Sequence, residues 1–275
     1  MPTPPEPSSR NEIASIDTEV ATEARVYDYL LGGVTNFPVD RETAERQGAA
    51  VGGIENAQSG VRANRVFLGE AVRRLSAAGV RQFLDIGSGI PTEGHVHEIA
   101  QSVASESRVV YVDIDPVAVA HTRHILAGNH HADVVQEDFR APEQILDAPE
   151  VRRLLDLTQP VAVLVLALLH HLPDVDDPAD LISRLTGPLV AGSYLAISHG
   201  TEDGRRNGAV GKEIYRRSGL SIMSRSRAQV KAMFDGWELV EPGVVWVPEW
   251  HPEWPDDPRR RPEDSSFYGG VGRKI

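Results

Sequence analysis

The chain has 275 residues, 41% hydrophobic and 25% charged, with a formal net charge of -12 and no cysteine. Such a composition supports a globular protein with a sizeable core and excludes a disulfide framework, a thiolate metal site and a cysteine nucleophile. The acidic balance argues against general attraction to nucleic acid or an anionic membrane, so neither is expected as a partner.

The first sixteen residues are rich in Pro, Ser and Glu without apolar periodicity, which predicts a disordered tail over 1–16. They do not read as a signal peptide, and a cytoplasmic protein is expected. Val20, Ala24, Tyr27, Leu30 and Leu31 then recur at helical spacing until Gly32-Gly33. Arg41 to Gln47 reads as a short helix and Gly60 to Ala78 as a long one, ended by Gly79. Residues 17–79 are therefore expected to form a helical cap, and 80–275 a separate ligand-binding domain.

After Gly79 strands and helices alternate. Strands are expected at Arg81–Ile86, Arg108–Asp113, Ala132–Glu137, Pro160–Leu168 and Gly192–Ser198. Helices are expected at Val96–Val103, Pro116–Ala127, Pro142–Leu157 with a break near Pro149, and Ala179–Leu189. The apolar run at Pro160–Leu169 is about half the length of a membrane-spanning helix and marks a strand buried on both faces. Such alternation predicts a doubly wound α/β fold, its sheet mostly parallel and covered by helices on both sides. Further on, Ser226–Phe234 reads as a helix and Trp237–Val247 as strand-like, interrupted at Pro242-Gly243. Pro248–Pro262 reads as a long loop whose Arg259, Arg260 and Arg261 are neutralised by flanking acids. Ser266–Lys274 can return as a last strand, a reading weakened by Gly269-Gly270.

Ligands of open α/β sheets bind beyond the carboxyl ends of the strands, so chemistry-bearing residues should stand there. The first strand ends in Asp85-Ile86-Gly87-Ser88-Gly89. A dinucleotide turn would carry a third glycine where Thr92 stands, and the Asp85 carboxylate would repel a pyrophosphate. It suits an ammonium group, such as that of the methionine part of S-adenosylmethionine. At the second strand end Asp113 can accept both hydroxyls of a ribose, with Ile114 beside it, whereas Asp115 before Pro116 reads as a helix N-cap. After the third strand, Asp138 and Phe139 suit an adenine amino group and ring; the alternative is an exposed acidic turn. Ala167, at the end of the fourth strand, completes the expected cofactor set, together with Ser88 in the glycine turn. His170 and His171 follow, as a base, a polar wall or metal ligands; no nearby carboxylate has a helical ligand spacing, and no metal is expected. His199, just beyond the fifth strand, lies on the same sheet edge.

Taken in order, Asp-x-Gly-x-Gly, an acidic strand end before Asp-Pro, Glu137-Asp138-Phe139 and Leu169-His170-His171-Leu172-Pro173-Asp174 resemble the class I, Rossmann-like methyltransferases over about Arg81–Ser198. The whole chain resembles a narrower family, the actinobacterial S-adenosylmethionine-dependent methyltransferases formerly filed as a domain of unknown function. That likeness is carried by Ala24 to Gly33, Asn36-Phe37, Asp40, Arg62 to Arg65, Arg81 to Thr92, Val109 to Asp113 and Tyr268 to Lys274. It implies a seven-stranded sheet, S-adenosylmethionine as cofactor and methyl transfer, with no acceptor specified. In this fold N-terminal helices often shape the acceptor pocket, which makes Tyr27, Asn36, Phe37, Arg62 and His199 candidates to line it; ordinary helix packing is the alternative.

No Asn-Pro-Pro-Tyr-like tetrapeptide follows the fourth strand and no Pro-Cys exists, so a small molecule is the expected acceptor. His170 or His171 is the candidate general base. Two other readings remain open: a non-catalytic S-adenosylmethionine-binding regulator, and a nicotinamide-dependent oxidoreductase. The oligomeric state is not legible in the sequence.

Overall fold

The computed structural model describes residues 17–91, 94–203, 222–250 and 261–275. The expected disordered tail, Thr92, and most of the Pro-rich loop with Arg259 and Arg260 lie outside the described residues.

The described chain begins with three helices, α1 (Glu23–Leu31), α2 (Pro38–Ala50) and α3 (Ile54–Ala77). The alternating part follows as β1 (Gln82–Ile86), α4 (Val96–Val103), β2 (Arg108–Asp113), α5 (Pro116–Ile125), β3 (Ala132–Gln136), α6 (Pro142–Asp147), α7 (Pro149–Leu154), β4 (Ala162–Leu166), α8 (Pro178–Thr186) and β5 (Tyr194–Gly200). The end comprises α9 (Arg227–Ala232), β6 (Trp237–Leu239), β7 (Val245–Trp246), α10 (Val247–Trp250) and β8 (Phe267–Lys274). The break expected near Pro149 divides α6 from α7, and the one at Pro242-Gly243 divides β6 from β7.

One sheet runs in the order β3-β2-β1-β4-β5-β8-β6, with the short β7 also pairing to β8. This is the expected seven-strand path plus one two-residue strand. β1 to β5 are mutually parallel, and β8 enters antiparallel between β5 and β6. From β1 the chain steps outward to β2 and β3, then returns to place β4 against the other side of β1. The β1/β4 boundary is therefore the switch point at which such sheets open a crevice.

Alternate strand residues feed two cores. Leu84, Val110, Val163 and Leu195 pack with Ile145, Val151 and Leu185 from α6, α7 and α8. Phe83, Val109, Leu164 and Ala196 face the other way, onto Phe67, Ala71 and Leu75 of α3 and Ala100 of α4. A third, small cluster of Val26, Leu30, Ala44 and Val61 holds the cap together. The 24-residue α3 serves both: its Val61 belongs to the cap and its Phe67–Leu75 half to the sheet.

Gly269-Gly270 does not weaken β8. A Cβ on Gly269 would stand 2.9 Å from Val247 and 3.0 Å from Phe67, and one on Gly270 would stand 2.9 Å from Val244. The strand is pressed from both faces, and only glycine leaves room for those side chains.

Candidate active site

The glycine turn after β1 is stapled to β2. Gly87 and Ser88 donate their N–H groups to Val112 O at 2.8 and 3.2 Å, and Gly89 donates to Asp113 Oδ2 at 2.7 Å. Gly87 and Gly89 have φ of 67° and 68°, where a side chain is strained. Gly87 also packs so closely on Leu168 that a Cβ would lie 2.9 Å from it. The N–H groups that would cradle a phosphate are thus already spent, and the next helix begins only at Val96.

Asp113 accepts from Asp115 N as well, at 2.8 Å. Asp115 caps α5 through Val117 N at 2.7 Å, as expected, and its other oxygen accepts from the Thr22 hydroxyl. Thr22 is itself the N-cap of α1. One carboxylate therefore ties the cap to the end of β2.

The cap closes over the sheet edge to leave a cavity of about 820 Å³, within the range of about 300–1,000 Å³ typical of ligand sites. Asp85, Gly87, Ser88, Gly89, Asp113, Ile114, Asp138, Phe139 and Ala167 all line it, as do His170, His171 and Tyr27. Among the described residues its carboxylates are Glu23, Asp85, Asp113, Asp115, Glu137, Asp138 and Glu202, against the guanidinium groups of Arg65 and Arg140. Such a wall attracts cations.

Asp85 is buried, and burial pushes its carboxyl up to about 7 although Arg65 pulls it down. Burial likewise raises Asp113 to about 6 against its backbone hydrogen bonds. A buried carboxyl so raised favours a bound cation that restores its charge. Ile114 is 60% exposed at the cavity wall, an apolar surface lacking a partner. Phe139 is buried in the sheet core and reaches the cavity from there. Asp138 is held by Arg140, which donates its backbone N–H at 2.8 Å.

The two histidines differ. His170 is buried, and its Nδ1 accepts from Gly200 N at 3.3 Å. Burial, reinforced by His171, His199 and Arg225, drives its pKa well below the usual value, so it is neutral with its proton on Nε2. His171 is less buried, and its Nδ1 lies 3.2 Å from Glu23 Oε1 in the first turn of α1.

Four expected lining residues stand elsewhere. Asn36 closes the loop after α1, donating to Asp28 Oδ2 at 2.9 Å and to Gly33 O at 3.0 Å. Phe37 caps the entry to α2, with the Arg25 guanidinium 5.0 Å from its ring centre. Arg62 is on the solvent side of α3. His199 is wholly buried behind His170: its Nδ1 is 2.7 Å from Gly200 O and its Nε2 accepts from Arg225 Nη1 at 3.0 Å. None of the four is in the cavity lining: Asn36 and Phe37 are used in the connection between α1 and α2, Arg62 faces solvent, and His199 is buried within β5. Tyr27 does line the cavity; its hydroxyl donates to Val61 O at 3.2 Å and accepts from Asn64 Nδ2 at 2.9 Å.

The sequence reading missed Glu23, Gln47, Asn64, Arg65, Arg225 and Phe267. Asn64 and Arg65 had a signal, being polar residues adjoining the apolar stripe of α3. Arg225 had none: it follows a segment with no periodicity, yet its guanidinium clamps the turn bearing the histidines, donating to Leu169 O at 2.8 Å and Leu172 O at 3.0 Å. Among the described residues no group of His, Asp and Glu has the geometry to hold a metal, and no helix is long and apolar enough to cross a membrane.

The sequence profile of the S-adenosyl methyltransferase family matches residues 9–275. A protein of the DUF574 family from Streptomyces avermitilis has 43% identity and a TM-score of 0.87, the match covering 94% of this chain and 99% of that one. A candidate methyltransferase from Thermobifida fusca has 38% identity and a TM-score of 0.86, over 94% and 96% of the two chains. No curated protein matches the chain.

Proposed function

The chain belongs to the S-adenosyl methyltransferase family and uses S-adenosylmethionine as its cofactor, and we propose that it methylates a small molecule held between the sheet edge and the helical cap in the cytoplasm. The observation that carries this reading is the single acidic cavity that runs from the glycine turn into the cap. It has room for two ligands side by side, and its charge suits a cationic cofactor rather than a pyrophosphate.

The residues present fit that cofactor. Asp85 supplies the buried carboxylate for its ammonium, and Arg65, close enough to act on Asp85, supplies the cation for its carboxylate. Asp113 retains acceptor capacity beyond its backbone bonds for the ribose hydroxyls. Ile114 and Phe139 offer apolar surface to the adenine, with Asp138 at its amino edge. Gly87, Ser88, Gly89 and Ala167 bring backbone near the reacting centre; Ala167 has a left-handed φ of 52°, held by Ser198 Oγ accepting from its N–H at 2.9 Å. When bound, the cofactor supplies an electrophilic methyl group, and the protein's part is to align an acceptor and exclude water. His170 and His171 stand at the end of β4, next to β1, as the groups able to touch that acceptor.

Calorimetric titration tests the reading. Wild-type protein should bind S-adenosylmethionine at one site and show no heat with NADH. Asp85→Asn should bind it about 10- to 100-fold more weakly, the loss of a buried charge-assisted pair. Unchanged affinity in Asp85→Asn would remove the carboxylate from the site.

A further inference from the structure

The cavity is lined by residues of α1, α2 and α3 as well as by the strand ends. Val26, Leu30, Val51 and Leu68 give the helical side of the cavity apolar surface. Two amides are set among them: Gln47, 6% exposed, and Asn64, 3% exposed. Asn64 spends its amide N–H on Tyr27, but its Oδ1 has no partner, and neither has the Nε2 of Gln47. A buried polar atom without a partner costs about 1–3 kcal/mol. Two of them on one cavity, beside apolar side chains, one a donor and one an acceptor, indicate a ligand that is neutral, largely apolar and able to hydrogen-bond.

His171 and Glu23 line the same cavity, with Nδ1 and Oε1 3.2 Å apart. A carboxylate beside Nδ1 holds the imidazole proton there and leaves the Nε2 lone pair free, the arrangement of an oriented base. His170 cannot take this role, because its Nδ1 lone pair is spent on Gly200 and its Nε2 carries the proton. A neutral amine attacks through its own lone pair and needs no base to do so. A hydroxyl is a poor nucleophile until its proton is withdrawn.

Resting on the methyltransferase reading above, we propose that the acceptor is a neutral, apolar hydroxyl compound of the phenol type, deprotonated by His171 with Glu23 as its positioning residue. The hydroxyl proton passes to His171 Nε2. The oxygen lone pair forms the new C–O bond to the methyl carbon as the C–S bond breaks, its electron pair remaining on sulfur. The products are a methyl ether, S-adenosylhomocysteine and an imidazolium beside the Glu23 carboxylate, which returns its proton to solvent. Glu23 belongs to α1, so the base is complete only with the cap in place.

The test uses full-length protein, labelled S-adenosylmethionine and three probes of one shape: 4-propylphenol, 4-propylaniline and 4-propylbenzoate. Transfer is expected to the phenol alone. His171→Gln should lower kcat on 4-propylphenol by about 100-fold or more, the usual worth of a general base. On 4-nitrophenol, ionised at mildly alkaline pH, it should lose less than about threefold, since no proton then needs removal. Glu23→Gln should lower kcat on 4-propylphenol about tenfold with KM unchanged and show the same rescue. Equal losses on both phenols would mark His171 as structural and overturn the proposal. So would transfer to the amine or the carboxylate in preference to the phenol, or no transfer to the phenol by protein that binds S-adenosylmethionine. Failure to bind S-adenosylmethionine would instead refute the cofactor reading, and this proposal with it.

Discussion

Asp85 shows how one residue links fold to ligand. Its place at the end of β1, facing the α3 side of the sheet with Phe83, buries it. That burial raises its carboxyl to about 7. The folded protein then holds a proton that the unfolded chain releases near pH 4, so Asp85 costs stability increasingly as pH rises from about 4 to about 7. Asp85→Asn should therefore be as stable as wild type near pH 4, and more stable by roughly 4 kcal/mol above pH 7 when each pKa unit is worth about 1.4 kcal/mol. Urea unfolding at the two pH values measures this; a gain at low pH and none at high pH would reverse the sign. On the proposed pairing with the cofactor's ammonium the ionised form is the one that binds, so affinity for S-adenosylmethionine should tighten as pH rises to about 7 and weaken again above about 8, where an α-amino group loses its charge. Asp85 was legible in the sequence because a carboxylate two residues before a glycine is wrong for a phosphate. His199 was misjudged because a strand end fixes an edge of the sheet but not which way the ring turns.

At the scale of elements the cap is held by buried polar bonds more than by its small apolar cluster. Arg25 and Asp40 are both buried, with Nε and Oδ2 3.2 Å apart. Asp40 also accepts from Thr22 N at 3.1 Å and Phe37 N at 2.8 Å, which fixes α1 against α2. Thr22 then carries the assembly to the sheet through Asp115. Thr22→Ala removes the cap of α1 and leaves an Asp115 oxygen without its hydroxyl donor. A loss of about 1–2 kcal/mol is expected, together with weaker S-adenosylmethionine binding. Thr22→Ser should restore both, as measured by urea unfolding and calorimetry. The three helices themselves were visible as periodic apolar stripes. Their starts were not: α2 begins at Pro38 and α3 at Ile54, each ahead of its expected start, because Pro38 and the Gly52-Gly53 turn set the entry and the apolar stripe begins later.

Across the whole molecule the acid response should be governed by buried histidines. Burial lowers His95 and His199 to about 4 and drives His170 well below its usual value. Each is neutral when folded and charges when unfolded, so its stabilising contribution is lost as pH falls from about 6.5 towards 4. Asp85 and Asp113 act in the opposite sense over an overlapping range. With three strongly lowered histidines against two raised carboxyls, Tm should fall on acidification below about pH 6.5. Thermal scans from neutral pH to pH 4 measure it; a Tm that rises throughout that range would mean that the carboxyls dominate.

The sequence by itself determined the parallel core, the switch point and the glycine turn after β1. Each is written in short-range signals: runs of β-branched residues, glycine at a strand end, and a carboxylate where a phosphate-binding loop would tolerate none. Asp85, Asp113 and Asp138 could be placed on one cavity from the sequence because parallel strands deliver their carboxyl ends to one edge whatever the details of packing. What only the tertiary structure decided is how the cap meets that edge. The Glu23–His171 contact joins residues far apart in the chain, and the unpartnered amides of Gln47 and Asn64 are defined by their surroundings rather than by type. Helical periodicity says which face of α1 to α3 is apolar, but polar residues at the margin of that face turn inward or outward according to what the neighbouring helix leaves open. That is why Arg62 is exposed while Asn64, two residues beyond it on the same helix, lines the cavity.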